Sequence, residues 1–142
     1  MDVKAAAARA RVLRCFAAAV AALAVTVLPA GPALGHAKLL KASPAPGAKV
    51  TVAPQVVQAW FKLSAGEELD AERSTISVWN AAGKRVDDGK GGVDLKDLDR
   101  LSMIVRLKPL PPGTYTVKWK AVSDPDGAVA QGRFTFTVLK KP

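Results

Sequence analysis

The sequence is poor in the side chains that most catalytic chemistry needs. It holds one cysteine and one histidine among 142 residues. The cysteine, Cys15, falls in a leader-like segment, so the remainder has no disulfide and no thiolate ligand. Any Ser-His-Asp or Cys-His device would have to use His36, at what reads as a chain end, and this argues against a nucleophilic hydrolase. Of the two methionines, Met1 belongs to the leader, which leaves Met103 alone and no soft-metal cluster. Basic residues outnumber acidic ones, 21 to 12, yet no cluster is longer than Lys84-Arg85 or Lys140-Lys141. A nucleic-acid partner calls for a basic stripe with interleaved aromatics, so these charges read as a solvated surface. Past the leader there is no helical period, no internal repeat and no second domain.

What is present begins with that leader. Lys4, Arg9, Arg11 and Arg14 precede an apolar run, Cys15 to Leu28, and the small-residue segment PAGPALG follows. This order is that of a secretory signal peptide. The run is about fourteen residues, short of the roughly 18 to 20 that a spanning helix needs. Residues 1–35 are therefore expected to be a signal peptide and 36–142 one exported domain. Two cuts fit the small-x-small pattern. One, after Ala33-Leu34-Gly35, leaves His36 first; the other, after Gly35-His36-Ala37, leaves Lys38 first.

The body alternates with period two, the mark of half-buried strands. Tyr115, Val117, Trp119 and Ala121 share one face, as do Phe134, Phe136 and Val138. So do Leu101, Met103, Val105 and Leu107, and Val57, Ala59, Phe61 and Leu63. TISVW, from Thr75 to Trp79, is a fifth strand, and AKLLKAS and AKVTV supply two shorter ones. Turn residues punctuate them at Ser43–Gly47, Asn80–Gly83 and Pro109–Gly113. Asp87 to Arg100 reads as a loop with one short strand or turn, and the acidic group Glu67, Glu68, Asp70 and Glu72 as an exposed loop, a weak candidate for a hard-cation site because it lacks the glycine and spacing of a calcium loop. Trp60, Trp79 and Trp119 read as core or sheet-face residues. About seven strands over roughly 100 residues predict an all-β fold, a Greek-key β-barrel or sandwich.

Two segments resemble the CopC family of exported copper-binding proteins. HAKLLKASPAPGAKVTVAPQVVQAWFKL carries His36-Ala37, Ser43-Pro44-Ala45 and Pro54, and LPPGTYTVKWKAVSDPDGAVAQGRFTFTV carries Gly113, Tyr115, Trp119, Ser123, Asp126-Gly127, Gly132 and Phe136. The resemblance implies one Greek-key barrel of immunoglobulin-like topology in the periplasm. It implies a role in copper homeostasis and resistance, with Cu(II) held by the amine and imidazole of an N-terminal histidine and by a loop Asp-x-His motif. Some members add a Met-rich Cu(I) site. The partners expected are a copper ion and an inner-membrane copper transport protein. The mature chain is expected to be a monomer that is not an enzyme, spans no membrane and binds no nucleic acid. An N-terminal histidine offers two nitrogens on one residue, and both must lose their protons to bind.

The sequence departs from that pattern at one ligand. Asp126-Gly127 is followed by Ala128, where the family has histidine. The metal ligands expected are therefore His36 and Asp126, with Asp124 or water filling in, and the affinity is expected to be weakened. DPDG, from Asp124 to Gly127, is also a sound turn sequence, so Asp126 can equally serve to shape a bend. Two other functions fit less well. One is a metal-free relative that docks other proteins. The other is a copper polysaccharide monooxygenase, which needs a second histidine that this chain lacks.

Overall fold

A computed structural model describes residues 36–142. The expected leader, its cleavage site and Cys15 lie outside those residues. No helix occurs among the described residues, and nine strands account for the alternating segments. In chain order they are β1 (Lys38–Ser43), β2 (Lys49–Val50), β3 (Val56–Lys62), β4 (Glu68–Leu69), β5 (Thr75–Asn80), β6 (Gly92–Val93), β7 (Ser102–Arg106), β8 (Gly113–Asp124) and β9 (Val129–Val138). One sheet runs β1-β3-β7-β6. The other runs β2-β9-β8-β4, with β5 also paired to β8. β5 takes Tyr115 to Lys120 of β8, and β4 takes Ser123 and Asp124 farther along. Only β2 runs parallel to its partner, β9. The result is the Greek-key sandwich that the alternation predicts, with the immunoglobulin-like topology that the resemblance implies.

The inward residues of both sheets make one core. Val57, Ala59 and Phe61 face Met103 and Val105 within the first sheet. Ile76, Val78, Tyr115, Val117, Phe134 and Phe136 close over them from the second. Phe61 meets Trp119 edge-on at 5.0 Å between ring centroids, and Tyr115 stacks on Phe136 at 5.5 Å. Each such large side chain contributes roughly 1.5–3 kcal/mol when fully buried. The Tyr115 hydroxyl donates to the Pro111 carbonyl, a corner of the kind seen in immunoglobulin-type sandwiches. Gly132 lies opposite Trp119, where a Cβ would stand 2.6 Å from the indole ring. Trp60 and Trp79 stand on the outer faces and carry the ammonium groups of Lys41 and Lys118 at 4.7 and 4.8 Å. The core belongs entirely to the unit Pro32–Pro142, so the described chain encloses its own apolar centre.

Two readings of the sequence are refined. The expected short strand within 87–100 is β6. The acidic group 67–72 is not simply an exposed loop, because Leu69 in its middle is completely buried. Burying that side chain draws Glu68 and Leu69 onto β8 as strand β4, opposite Asp124 and Ser123. Glu72 is exposed, whereas Glu67, Glu68 and Asp70 are half-buried.

Asp87 anchors the long connection between β5 and β7. Its buried carboxylate accepts hydrogen bonds from the Val78 and Gly89 backbone N–H groups, at 2.8 and 2.7 Å, and from Arg85 Nε at 2.9 Å. Burial pushes its pKa upward, but Arg85 and the two backbone donors outweigh that and hold it below the ordinary 3.8. A carboxyl with a depressed folded pKa stabilises the fold above its unfolded pKa, and that stabilisation is lost as pH falls through the folded value. Replacing Asp87 by Ala leaves the buried Val78 N–H unpaired and frees the N–H of exposed Gly89. Urea unfolding at neutral pH is expected to show a loss of about 2 kcal/mol. The gap between variant and parent is expected to narrow as pH drops below about 3.8. A gap that stays constant with pH contradicts this account.

Candidate metal centre

One end of the sandwich gathers the start of β1, the β3–β4 turn and the β8–β9 turn. Lys38 pairs with Lys62 at the end of β3, and Glu68 pairs with Asp124 at the end of β8. Ala37 is buried, which pins the chain immediately after His36. His36 itself stays exposed at the rim.

Glu67 is delivered by a tight turn. Its N–H donates to the Ser64 carbonyl, and its Oε2 accepts the Ser64 N–H, both at 3.1 Å. Gly66 sits at φ +82°, a left-handed conformation that only glycine adopts without strain. The second oxygen, Oε1, then lies 2.7 Å from His36 Nδ1. Asp126 is delivered in the same manner. Its Oδ1 accepts the Ala128 N–H at 2.9 Å, while Gly127 N–H donates to the Ser123 carbonyl at 2.8 Å. Its Oδ2 lies 3.0 Å from the same His36 Nδ1. Each carboxylate thus spends one oxygen on its own turn and aims the other at one ring nitrogen.

A neutral imidazole nitrogen carries at most one proton. Two carboxylate oxygens converging on it make a locus of negative charge that a single N–H shares between two acceptors. The hydrogen bond that Glu67 accepts from the ring raises the His36 pKa above 6.5, and the charges of Glu67 and then Asp126 add to it. One ligand atom from each of His36, Glu67 and Asp126 lies within 4.8 Å of the others, a grouping able to hold a metal ion. The Glu67 side chain is 12% exposed, against 43% for His36 and 38% for Asp126, so Glu67 forms the sheltered wall of the site. Arg100 pairs with the neighbouring Glu68 at 3.1 Å, and Arg73 with Asp70 at 2.7 Å. The acidic end is therefore partly balanced by cations just outside the group.

Of the three ligands expected from the sequence, the fold brings His36 and Asp126 together. Asp124 ends β8 in an exposed position and is not part of the group. Its place is taken by Glu67, which the sequence reading assigned to a solvated loop. Two signals for Glu67 were present: the turn segment Ser64-Ala65-Gly66 before it, and Leu69, an apolar residue unsuited to a free loop. Neither indicates which loop faces His36. Asp126 shapes the bend through Oδ1 and turns Oδ2 toward the His36 ring.

Comparison with known proteins follows the same outline. The CopC domain model matches residues 39–139. Protein YobA of Escherichia coli (strain K12) is 35% identical over 111 residues, spanning 72% of this chain and 78% of that protein. Copper transport protein CutJ of Bacillus subtilis is 33% identical over 106 residues, 74% of this chain. The match covers only 18% of CutJ, so this chain corresponds to a small part of that much longer protein. Among solved structures, CopC from Methylosinus trichosporium OB3b superposes with a TM-score of 0.62 at 28% identity, covering 73% of this chain and 94% of that one. PcoC, a methionine-rich copper resistance protein from Escherichia coli, superposes with a TM-score of 0.58 at 29% identity, covering 72% and 98%. Taken with the strand order and the residues at its rim, these matches mean that the chain belongs to the CopC family.

Proposed function

We propose that this protein binds Cu(II) outside the cytoplasm, as a buffer or as a carrier that hands the ion to a membrane partner. The observation that carries this reading is the convergence of the Glu67 and Asp126 carboxylates on His36 Nδ1. Nδ1 is the ring nitrogen nearer the backbone, and so the one able to close a six-membered chelate ring with the α-amine of the same residue. Cleavage after Gly35 would free that amine and complete a set of two nitrogens and two oxygens. Cu(II) favours nitrogen and oxygen donors and tops the divalent affinity order, whereas Cu(I) selects thiolates and thioethers. The one methionine in the described residues, Met103, is wholly buried in the core and offers no soft donor here. The relatives named for copper transport and copper resistance support the same cargo.

Glu67 also bears on the missing histidine. Ala128 contributes only its backbone N–H, which holds Asp126. An oxygen donor from the β3–β4 turn replaces the absent imidazole, which makes the centre less nitrogen-rich rather than one ligand short. Nothing in this role requires turnover. A metal-free docking role leaves the shared aim of two carboxylates without a purpose, and so is the weaker reading.

The test is Cu(II) titration of the protein beginning at His36, followed by electron paramagnetic resonance. His36→Ala is expected to abolish specific uptake. Glu67→Gln and Asp126→Asn are each expected to weaken it by roughly tenfold or more, since even outer-shell losses cost about that much. Asp124→Asn is expected to leave it unchanged, and Ala128→His to tighten it. Binding no stronger than that of a short peptide with an N-terminal histidine would contradict the proposal.

A second prediction concerns protons. In the metal-free protein the His36 ring is expected to titrate above 6.5 when followed by NMR. The stabilisation from its carboxylate contacts is present below 6.5 and lost as pH rises through the raised value. Glu67→Gln is expected to lower that pKa more than Asp126→Asn, because Glu67 supplies the leading contribution. Copper must displace the same proton, so uptake should fall as pH drops below the raised pKa. Equal shifts in the two variants would show that charge alone, and not the Glu67 hydrogen bond, sets the value.

A further inference from the structure

Basic residues that are scattered along the sequence are gathered by the register of β5, β8 and β9. Lys118 stands opposite Arg133 on β9 and Ser77 on β5, and Lys120 opposite Gln131 and Thr75. All three cations are exposed, while the intervening Val117, Ala121 and Phe134 are buried, so the charges share the outer face. Lys49 extends that face on β2, opposite Thr137. Strands β2, β5 and β9 contain no acidic residue, and the one in β8, Asp124, is its last. Among the described residues, no ion pair involves Lys49, Lys118, Lys120 or Arg133.

Like charges set directly across a sheet repel. The partial relief here is the Trp79 ring beneath Lys118. Beside this pair an open hollow of about 410 Å³ is lined by Lys118, Trp119, Gln131, Gly132 and Arg133. Ser77 and Thr75 stand opposite the two lysines of β8, and Thr137 opposite Lys49. Cations and hydroxyls side by side on one open face suit phosphate groups, and a broad face free of acids suits a surface bearing many of them.

We propose that the outer face of β5, β8 and β9 docks on an anionic phospholipid bilayer through the headgroup phosphates. Contact is peripheral and electrostatic. Six residues of β8 separate Lys118 from Asp124, roughly 20 Å at the strand rise, so docking sets the His36 end of the sandwich beside the bilayer. The proposal is independent of copper binding and fails or stands separately from it.

The experiment is co-sedimentation of the 36–142 protein, metal-free, with vesicles of pure phosphatidylglycerol and of pure phosphatidylcholine. Binding to the first and not the second is expected, with loss on adding salt. Each Lys or Arg near an anionic bilayer strengthens partitioning about fivefold. The combined variant Lys118→Gln, Lys120→Gln, Arg133→Gln is therefore expected to bind about a hundredfold more weakly. The matched variant Lys38→Gln, Lys62→Gln, Arg106→Gln removes equal charge from the other sheet and is expected to bind almost as the parent does. If the first variant melts early, Lys120→Gln with Arg133→Gln, which leaves the Lys118–Trp79 contact intact, is expected to cost about 25-fold. Equal binding to both vesicles, or equal loss in the two triple variants, overturns the proposal. So does retention on the soluble polyanion heparin without vesicle binding.

Discussion

The pairing of β8 with β9 runs unbroken from Gly113 with Val138 to Val122 with Val129, and most of the molecule's properties follow from that register. It places Tyr115, Val117, Phe134 and Phe136 inward to make half of the core. It turns Lys118, Lys120 and Arg133 outward. It ends in the turn that carries Asp126. A slip of one residue would exchange the faces, sending aromatic rings into water and cations into the core. The cost of that exchange is what holds the hairpin in place, and the same register sets where the acidic turn meets His36.

The candidate centre combines an exposed rim with buried roots. His36 and Asp126 are open to solvent, yet each is tied to a residue that cannot move: Ala37 beneath the first and the paired end of β8 beneath the second. Glu67 is held by its own turn and by Leu69, two residues on and fully buried. Ligand atoms are thus positioned by apolar burial and backbone hydrogen bonds rather than by one another. The grouping is held in place without a metal, and a proton on His36 would relieve the repulsion of its two carboxylates.

Charge is divided between two regions. Acidic residues of the described chain fall in three connections, 67–72, 87–99 and 124–126. Many are used internally. Asp87 and Asp97 hold backbone N–H groups, and Asp70 holds both backbone and Arg73. Eight cations, by contrast, stand on strands, and none of those eight enters an ion pair among the described residues. A small basic domain therefore presents an acidic end and a basic flank, a distinction that its net charge conceals.

Local pattern by itself determined the strands, their inward residues, the turns and the family likeness, because period-two alternation and glycine or proline placement are read from neighbours along the chain. It also marked His36 and Asp126, through position and motif. Tertiary structure decided the rest. Glu67 and His36 are 31 residues apart in sequence. Their meeting depends on β1 pairing with β3, and on the burial of Leu69, which seats β4 beside β8. Asp124, two residues before Asp126, was expected to fill in as a ligand, yet the turn geometry sends only Asp126 toward the ring. The cationic face was invisible for the same reason: Lys118 and Arg133 become neighbours only through the hairpin register, a long-range hydrogen-bonded pairing that no local window of sequence contains.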